Sequence, residues 1–225
     1  MSTFSKNIVP LLEEQLGRLL TCNILPANAY LAGETAVYFY LRHRLSVNLD
    51  FFTQNDFNSE IFLSSAKGCF DEVAVELLEN DTIILYLSHE KIKFSLFHFP
   101  YALLTQVNSM VIHGGITCPL ASLNDIAAMK AVAINQRGSI RDFIDLFFIL
   151  RKTGLNFDDI ADLVIEKYGV DQGYDYHLKT SFVYFDDAEI EMDQIIMLEA
   201  DDSEQRNLAR KEWEEMKTFF LDLVK

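Results

Sequence analysis

Three oxygen-bearing side chains alternate with apolar residues between positions 45 and 52. Ser46, Asn48 and Asp50 follow one another at every second residue, the period of a β-strand, so their side chains point to the same face. Mg²⁺ prefers oxygen ligands and completes its coordination with substrate phosphates. Asn48 and Asp50 are therefore candidate metal ligands, and Ser46 is a candidate nucleotide-binding residue beside them.

A glycine turn precedes this segment, and further charged residues follow it on predicted helices. Gly33 with Thr35 could bring backbone N–H groups close to a triphosphate, because glycine permits a close backbone approach. Lys130 could add a positive charge to the same phosphates. Such parts suit phosphoryl or nucleotidyl transfer. The remaining charged residues of this set are Arg141, Asp142 and Asp145.

Each feature also has an ordinary structural explanation. A Gly-x-Thr sequence is commonly a turn, and alternating Ser, Asn and Asp can be a polar sheet face. Lys130 can extend along its helix to solvent. Arg141 and Asp145, one helical turn apart, could contribute only roughly 0.2–0.5 kcal/mol of helix stability. The functional interpretation depends on the combination.

Hydrophobic periodicity predicts the elements that hold these residues. Ser122 is a predicted helix cap, Gly138 with Ser139 breaks two helices, and Gly154 ends the second. The predicted helices cover residues 8–20, 56–69, 122–137, 140–152 and 203–224, and the chain is mostly helical from 156. The small and apolar stretch 29–41 is predicted to begin a further helix after a turn at Gly33. The predicted strands cover 45–52, 72–78, 82–89 and 91–100, with turns at 80–81 and Glu90 and a loop or edge strand at 114–119. An irregular acidic stretch covers 186–204, with 200–204 as a solvated loop.

This order of elements predicts an α+β fold, within the broad α/β class, with a mixed sheet and a helical C-terminal half. A chain of 225 residues can form one sizeable core. We therefore expect a single domain over residues 1–225, with a sheet core at 25–120 and a helical part at 121–225.

The charge balance limits the partners that the chain can bind. Its net charge of −15 repels phosphate backbones, so a nucleic-acid substrate requires a local basic patch. The candidates for that patch are Arg42, His43, Arg44, Arg137 and Arg141.

The chain shows no sequence feature of a membrane or secreted protein. It has no apolar run long enough for a membrane span, and its first ten residues lack a secretory pattern. Cys22, Cys69 and Cys118 are widely spaced and odd in number. We expect all three to be buried free thiols in the cytoplasm.

Two segments around the candidate site form an extended motif. Leu31-Ala-Gly-Glu-Thr-Ala-Val37 precedes His43-Arg-Leu-Ser-Val-Asn-Leu-Asp-Phe-Phe52. The pair resembles the AbiEii/AbiGii-type nucleotidyltransferase toxin family, whose pattern is Leu-x-Gly-Gly-Thr-Ala and then His-Arg-x-Ser-x-Asp-x-Asp-Phe-Phe. Residues 93–101, 121–130, 137–146, 184–189 and 213–217 resemble the later blocks of that family. The resemblance begins at about residue 29 and continues to the C-terminal helix.

The resemblance implies a nucleotidyltransferase-like sheet core and a reaction. The reaction is transfer of a nucleotide from a nucleoside triphosphate to RNA, tRNA ends in particular, or to a protein. Mg²⁺ or Mn²⁺ is the implied cofactor. A toxin-like role in a toxin–antitoxin or phage-defence system is implied as well, with a cognate antitoxin as partner and no membrane association.

The resemblance also assigns roles to individual residues. Gly33 and Thr35 match the phosphate loop, and Asp50 matches the second metal carboxylate. Lys130 matches the lysine that contacts the triphosphate. Asp145 matches a late acidic residue that could accept the proton of the acceptor hydroxyl, and Arg141 and Asp142 match its neighbouring pair.

Three positions depart from the pattern. Glu34 stands where a second glycine or a serine is usual, and Asn48 replaces the first metal-binding aspartate. Ser95 stands where related folds carry a third carboxylate. An amide oxygen can bind Mg²⁺ but brings no charge, so weaker metal binding is expected. The alternatives to an active Mg²⁺-dependent transferase are a catalytically weakened nucleotide- or partner-binding module and a structural protein without a ligand.

Overall fold

The computed structural model describes residues 8–89, 92–199 and 205–225. The chain divides into two units. The first contains the chain up to Thr35 together with Ser46–Tyr101 and Val107–Ala121. The second contains Ala36–Leu45, Ala102–Gln106 and Ser122–Lys225. The predicted turn at Glu90 and the predicted loop at 200–204 lie outside the described residues. The last helix was predicted to begin at 203, which is also outside them, but residues 205–207 form a strand and the helix begins at Arg210, later than predicted.

The first unit is built on a seven-stranded mixed sheet with the strand order β3-β4-β5-β2-β1-β7-β6. Strand β2 pairs in parallel with β5, and β1 pairs in parallel with β7, while the other neighbours are antiparallel. The strands are β1 Tyr30–Ala32, β2 Asn48–Thr53, β3 Val73–Leu78, β4 Thr82–Leu87, β5 Ile92–His98, β6 Asn108–Val111 and β7 Thr117–Leu120.

Strand β2 shows why the sheet has one apolar and one polar face at its centre. Leu49 and Phe51 are fully buried, whereas Asn48 and Asp50 are half-buried. Successive side chains of a strand alternate between faces, so the metal-ligand candidates lie opposite the core. The helices of this unit are α1 Ile8–Thr21, the first residues of α2 Gly33–Leu41, and α3 Ser59–Cys69, which Asn58 caps through Ile61 N.

The second unit is mainly helical, and an aromatic cluster forms part of its core. Phe143 contacts Phe220, Phe185 and Trp213, with ring centroids 5.2, 5.3 and 5.9 Å apart. Its helices are the rest of α2, α4 Leu123–Arg137, α5 Ile140–Thr153, α6 Phe157–Tyr168, α7 Tyr174–Phe182, α8 Asp186–Glu189 and α9 Arg210–Leu223, and β8 Ile196–Leu198 pairs with β9 Gln205–Asn207.

Most predicted elements are confirmed, and the exceptions have physical reasons. Ser122 caps α4 by accepting from Asp125 N, and Gly138 and Gly154 end α4 and α5 in left-handed conformations. The predicted helix after the turn at Gly33 is confirmed by α2, whereas the strand Tyr30–Ala32 before that turn was not predicted. All three of its residues are buried, so no polar–apolar alternation reveals it. The segment 114–119 contains β7, which lies between β1 and β6 rather than at the edge.

The cysteine prediction is wrong for two of the three residues. Cys22 and Cys69 form a disulfide with their Cα atoms 6.2 Å apart, whereas Cys118 is a buried free thiol. The pair is separated by 47 residues in the sequence, a spacing that carries no signal. The disulfide joins the C-terminal ends of α1 and α3. No helix in the described ranges is both long and apolar enough to cross a membrane.

The disulfide predicts a redox-dependent stability. Closing a loop across 47 residues should stabilise the oxidised protein by up to about 4 kcal/mol, since it limits the unfolded chain. The substitution Cys22→Ser should lower the free energy of unfolding in urea by that amount. Wild-type protein treated with a thiol reductant serves as the control and should match the variant. An equal response of variant and wild type to reductant would contradict the assignment.

Candidate functional site

The turn between β1 and α2 lies directly against Asp50. Gly33 begins α2 with a φ of 66°, and a Cβ atom placed on it would lie 3.2 Å from Asp50 Oδ2. Only glycine adopts this backbone conformation without strain and leaves room for the carboxylate. Strand pairing brings Gly33 close to Asp50, because the preceding residue, Ala32, is opposite Asp50 in the β1–β2 register. The first turn of a helix and a carboxylate are thus held together, as both metal and phosphate binding require.

Two hydroxyl groups connect the start of α2 to the start of β2. Thr35 is fully buried and donates its hydroxyl hydrogen to the Asn48 carbonyl oxygen. Its Oγ1 lies 2.7 Å from Ser46 Oγ, so Ser46 is left to donate to Thr35. The two residues that the sequence assigned to nucleotide binding therefore position Asn48 and the turn at Gly33.

The next strand determines how many carboxylates face the same side as Asp50. In the parallel β2–β5 pair, Asn48 is opposite Lys93 and Asp50 is opposite Ser95, which is 2% exposed. The side chain opposite Asp50 on β5 is therefore a hydroxyl and not a carboxylate. Among the described residues, no group of three or more His, Cys, Asp or Glu could hold a metal ion. A cation at this face would depend on the Asp50 carboxylate and the Asn48 amide.

The second unit contains a group of buried charges around Asp145. We call it the charge cluster, and it comprises His43, Arg44, Lys130, Arg137, Asp142 and Asp145. Asp145 is fully buried and accepts two hydrogen bonds from Arg44, from Nε and Nη2, both at 2.7 Å. His43 Nε2 lies 2.8 Å from its Oδ1, and Lys130 Nζ lies 2.6 Å from its Oδ2. Asp145 is thus paired with charges from two other segments.

Lys130 is shared between two carboxylates. Its Nζ atom lies 2.8 Å from Asp142 Oδ1 as well as 2.6 Å from Asp145 Oδ2, and the residue is only 4% exposed. Arg137, whose side chain is 60% exposed, donates to both oxygens of Asp142. The structure therefore unites Lys130 with the two acidic residues predicted beside it. Arg141 lies outside the cluster, because its Nη2 is 3.5 Å from Gln194 Oε1.

Charge compensation keeps both aspartates ionised. Burial alone would raise the pKa of Asp145, but Arg44, Lys130 and the hydrogen bond from His43 hold it well below its usual range. Burial likewise opposes ionisation of Asp142, whose pKa is nevertheless lowered by Lys130 and Arg137. A carboxylate with so low a pKa is a weak proton acceptor at neutral pH. Positioning suits Asp145 better than the role of general base.

The sequence placed His43 and Arg44 in a surface patch, and that prediction is wrong, because they are 4% and 2% exposed. Since Asp145 is ionised, His43 donates from Nε2, and Nδ1 is the unprotonated nitrogen. That Nδ1 is buried without a hydrogen-bond partner among the described residues. Burial lowers the pKa of His43 despite the opposing effect of Asp145. The His-Arg pair of the extended motif was the available signal for both residues.

Removal of the Asp145 charge should destabilise the protein strongly. Asp145→Asn leaves Arg44 and Lys130 buried with reduced compensation, and an uncompensated buried charge costs about 3–5 kcal/mol. Asp142→Asn should cost less, because Arg137 is 60% exposed and can be solvated. Urea unfolding of both variants measures the difference. Equal losses in the two variants would contradict the central position of Asp145.

The buried neutral His43 predicts a dependence of stability on pH. Its pKa in the folded protein is below its unfolded value of about 6.5, so the unfolded chain binds more protons on acidification. The contribution of His43 is therefore complete above about pH 6.5 and decreases as pH falls towards the folded pKa. His43→Asn should flatten the change in unfolding free energy between pH 7.5 and 5.5, measured in urea. Identical slopes for variant and wild type would exclude this cause.

Two sequence comparisons bear on this geometry. The family model of the nucleotidyl transferase AbiEii toxin of type IV toxin–antitoxin systems matches residues 15–225. An uncharacterized protein of Aquifex aeolicus is 35% identical over 215 residues, which are 94% of this chain and 92% of the relative. The matched range contains every candidate residue described above.

Solved structures share the fold. JHP933 from Helicobacter pylori has a TM-score of 0.52 and 19% identity, over 80% of this chain and 91% of that one. MenT4, a nucleotidyltransferase toxin from Mycobacterium tuberculosis, has a TM-score of 0.56 and 14% identity, over 96% and 84% of the two chains. The predicted nucleotidyltransferase-like α+β fold is confirmed. With the family model covering nearly the whole length, the chain belongs to the AbiEii nucleotidyltransferase toxin family of type IV toxin–antitoxin systems.

Proposed function

We propose that this protein transfers a nucleotide from a nucleoside triphosphate to an acceptor, RNA and tRNA ends in particular, or a protein. The observation that carries the proposal is the close approach of Gly33 to Asp50, which brings a helix start next to the candidate metal-binding carboxylate. Because the chain belongs to the AbiEii nucleotidyltransferase family, we interpret this arrangement as part of a nucleotide-transfer site. The biological role that follows is that of a toxin paired with an antitoxin, as the family description implies.

The residues of the first unit have distinct roles in this proposal. Asp50 and the Asn48 amide would hold Mg²⁺ or Mn²⁺, which supplies charge to the triphosphate. Backbone N–H groups from Gly33 onward would bind phosphate oxygens, aided by the positive end of the α2 dipole. Thr35 and Ser46 keep these groups in place through their hydroxyl contacts. Catalysis would depend mainly on positioning and charge neutralisation.

In this proposal the charged residues of the second unit hold structural elements in place. Lys130 and Asp145 were predicted to be catalytic, and we assign them to holding α4, α5 and the segment at 43–44 together. Their short contacts with each other support this assignment. A cytoplasmic location suits the substrates, since nucleoside triphosphates and tRNA are present there. In that reducing compartment Cys22 and Cys69 would be kept as thiols, and the disulfide would form on oxidation.

A second candidate function is a nucleotide-binding module with weakened catalysis. The observation in its favour is that Asn48 and Ser95 flank Asp50 without charge, so of these three residues only Asp50 offers a carboxylate to a cation. Metal affinity depends strongly on the number of charged ligands. The two candidates differ in whether a bound nucleotide is ever transferred.

A label-transfer assay tests the proposed reaction. Purified protein is incubated with Mg²⁺ or Mn²⁺, total cellular RNA and each of four α-labelled nucleoside triphosphates. Asp50→Asn should reduce labelling of RNA or protein by on the order of 100-fold, because it removes the charged metal ligand. The matched control is Asp56→Asn, which removes a carboxylate that is 98% exposed and should leave labelling unchanged.

Asn48→Asp separates the two candidate functions in the same assay. A second carboxylate should lower the Mg²⁺ concentration needed for half-maximal labelling and raise the rate. If neither the wild type nor this variant transfers label while both bind a nucleoside triphosphate, the transferase proposal fails and the binding module is supported. Equal loss of labelling in Asp50→Asn and Asp56→Asn would also count against the site.

A further inference from the structure

A row of polar side chains extends across the sheet from the candidate metal strand. Asn48 on β2 is opposite Lys93 on β5, and Lys93 is opposite Tyr86 on β4. Glu76 on β3 completes the row, at an irregularity in the β3–β4 register. We call Lys93, Tyr86 and Glu76 the cross-strand row. Because paired residues of neighbouring strands point to the same face, Lys93 and Tyr86 lie on the face that carries Asp50. Glu76 joins them through its contact with Lys93.

The contacts that hold Lys93 in the row require little free energy to break. Its Nζ lies 2.9 Å from Glu76 Oε1 and 5.9 Å from the centre of the Tyr86 ring. The side chains of Lys93 and Glu76 are 30% and 39% exposed. Ion pairs this exposed contribute little, because water solvates both charges well. A competing phosphate can therefore displace Glu76 from Lys93.

The Lys93 side chain is long enough to reach the neighbouring strand on either side of β5. Neighbouring strands lie about 4.8 Å apart, and the flexible lysine side chain with its four methylene groups exceeds that distance. Its ammonium group can therefore turn from Glu76 towards the Asn48 side of the sheet. An aspartate at position 48 would pair with such a group, whereas the Asn48 amide has no charge to hold it.

The sum of charges at this face favours an additional positively charged side chain for phosphate binding. Two carboxylates with two divalent cations, a common arrangement for phosphoryl transfer, leave a net charge of plus two. One carboxylate with one divalent cation leaves only plus one. Adding the ammonium of Lys93 to Asp50 and its cation restores plus two. Lys130 contacts Asp142 and Asp145 in the second unit. Among the residues that the structure describes, Lys93 is the lysine that strand register places on this face.

We propose that Lys93 is a phosphate-binding residue of the Asp50 face, released from Glu76 when a phosphate group binds. The proposal rests on the proposed nucleotidyl transfer and deepens it, since it names a residue that adds positive charge for the phosphate beside Asp50 and its cation. The phosphate belongs either to the nucleoside triphosphate or to the backbone of an RNA acceptor. Both have the same chemistry, and binding measurements separate them.

Binding to two probes tests Lys93 without requiring turnover. The probes are a non-hydrolysable ATP analogue with Mg²⁺ and a short single-stranded RNA, titrated by calorimetry. Lys93→Ala should weaken binding of at least one probe about 10-fold, the value expected for a charge-assisted hydrogen bond. Glu76→Gln should strengthen the same binding, because it removes the competing carboxylate. Lys67→Ala, a change of the same charge at an exposed residue of α3, is the matched control and should have no effect.

The outcomes identify the phosphate and separate the two proposals. A loss confined to the ATP analogue assigns Lys93 to the triphosphate, and a loss confined to RNA assigns it to the acceptor. If the wild type binds the analogue in a manner that Asp50→Asn abolishes, yet Lys93→Ala equals Lys67→Ala for both probes, the Lys93 proposal is overturned while the proposed function stands. If the wild type binds neither probe, both proposals are overturned.

Discussion

The buried carboxylate of Asp145 imposes the strictest condition on the helical unit. A carboxylate withdrawn from water is tolerated only when nearby donors and positive charges replace its hydration. Arg44 donates two hydrogen bonds to this carboxylate, and His43 and Lys130 also contact its oxygens. Because Lys130 is shared with Asp142, the charges form one interdependent set. Helices α4 and α5 and the segment at 43–44 are therefore fixed by electrostatics as well as by apolar packing.

In the sheet unit, backbone geometry rather than charge pairing determines how Gly33 and Asp50 are arranged. The positive φ of Gly33 allows the start of α2 to lie against Asp50. The hydroxyl groups of Thr35 and Ser46 then hold the beginning of β2. These contacts need no ligand, so the arrangement is organised in advance, which reduces the cost of binding. Asn48 is neutral, so Asp50 is the carboxylate that β2 contributes to this arrangement.

The two conditions explain why residues of the same motif have different tasks. The His-Arg pair that begins the second half of the motif belongs to the charge cluster, and the Asn and Asp that follow lie on the polar face of β2. Spacing within the motif is similar for all of them, but their surroundings differ. His43 and Arg44 are buried and contact Asp145, whereas Asp50 is half-buried.

The sequence by itself determined those features that depend on near neighbours. Alternation along residues 45–52 revealed the shared face of Asn48 and Asp50, and Ser122 and Gly138 revealed the ends of α4, because a cap acts within one helical turn. The extended motif identified the family and hence the fold. The short strand at 30–32 escaped prediction, since it is buried throughout and has no periodicity to detect.

Only the tertiary structure decided which distant side chains meet. It brought Cys22 to Cys69 and placed Lys93 opposite Asn48. It also gave Lys130 two carboxylate partners instead of exposure to solvent. Strand register and helix packing set these contacts, and both arise from the burial of many residues at once. No local pattern encodes them, because their energies depend on segments that are remote in the chain.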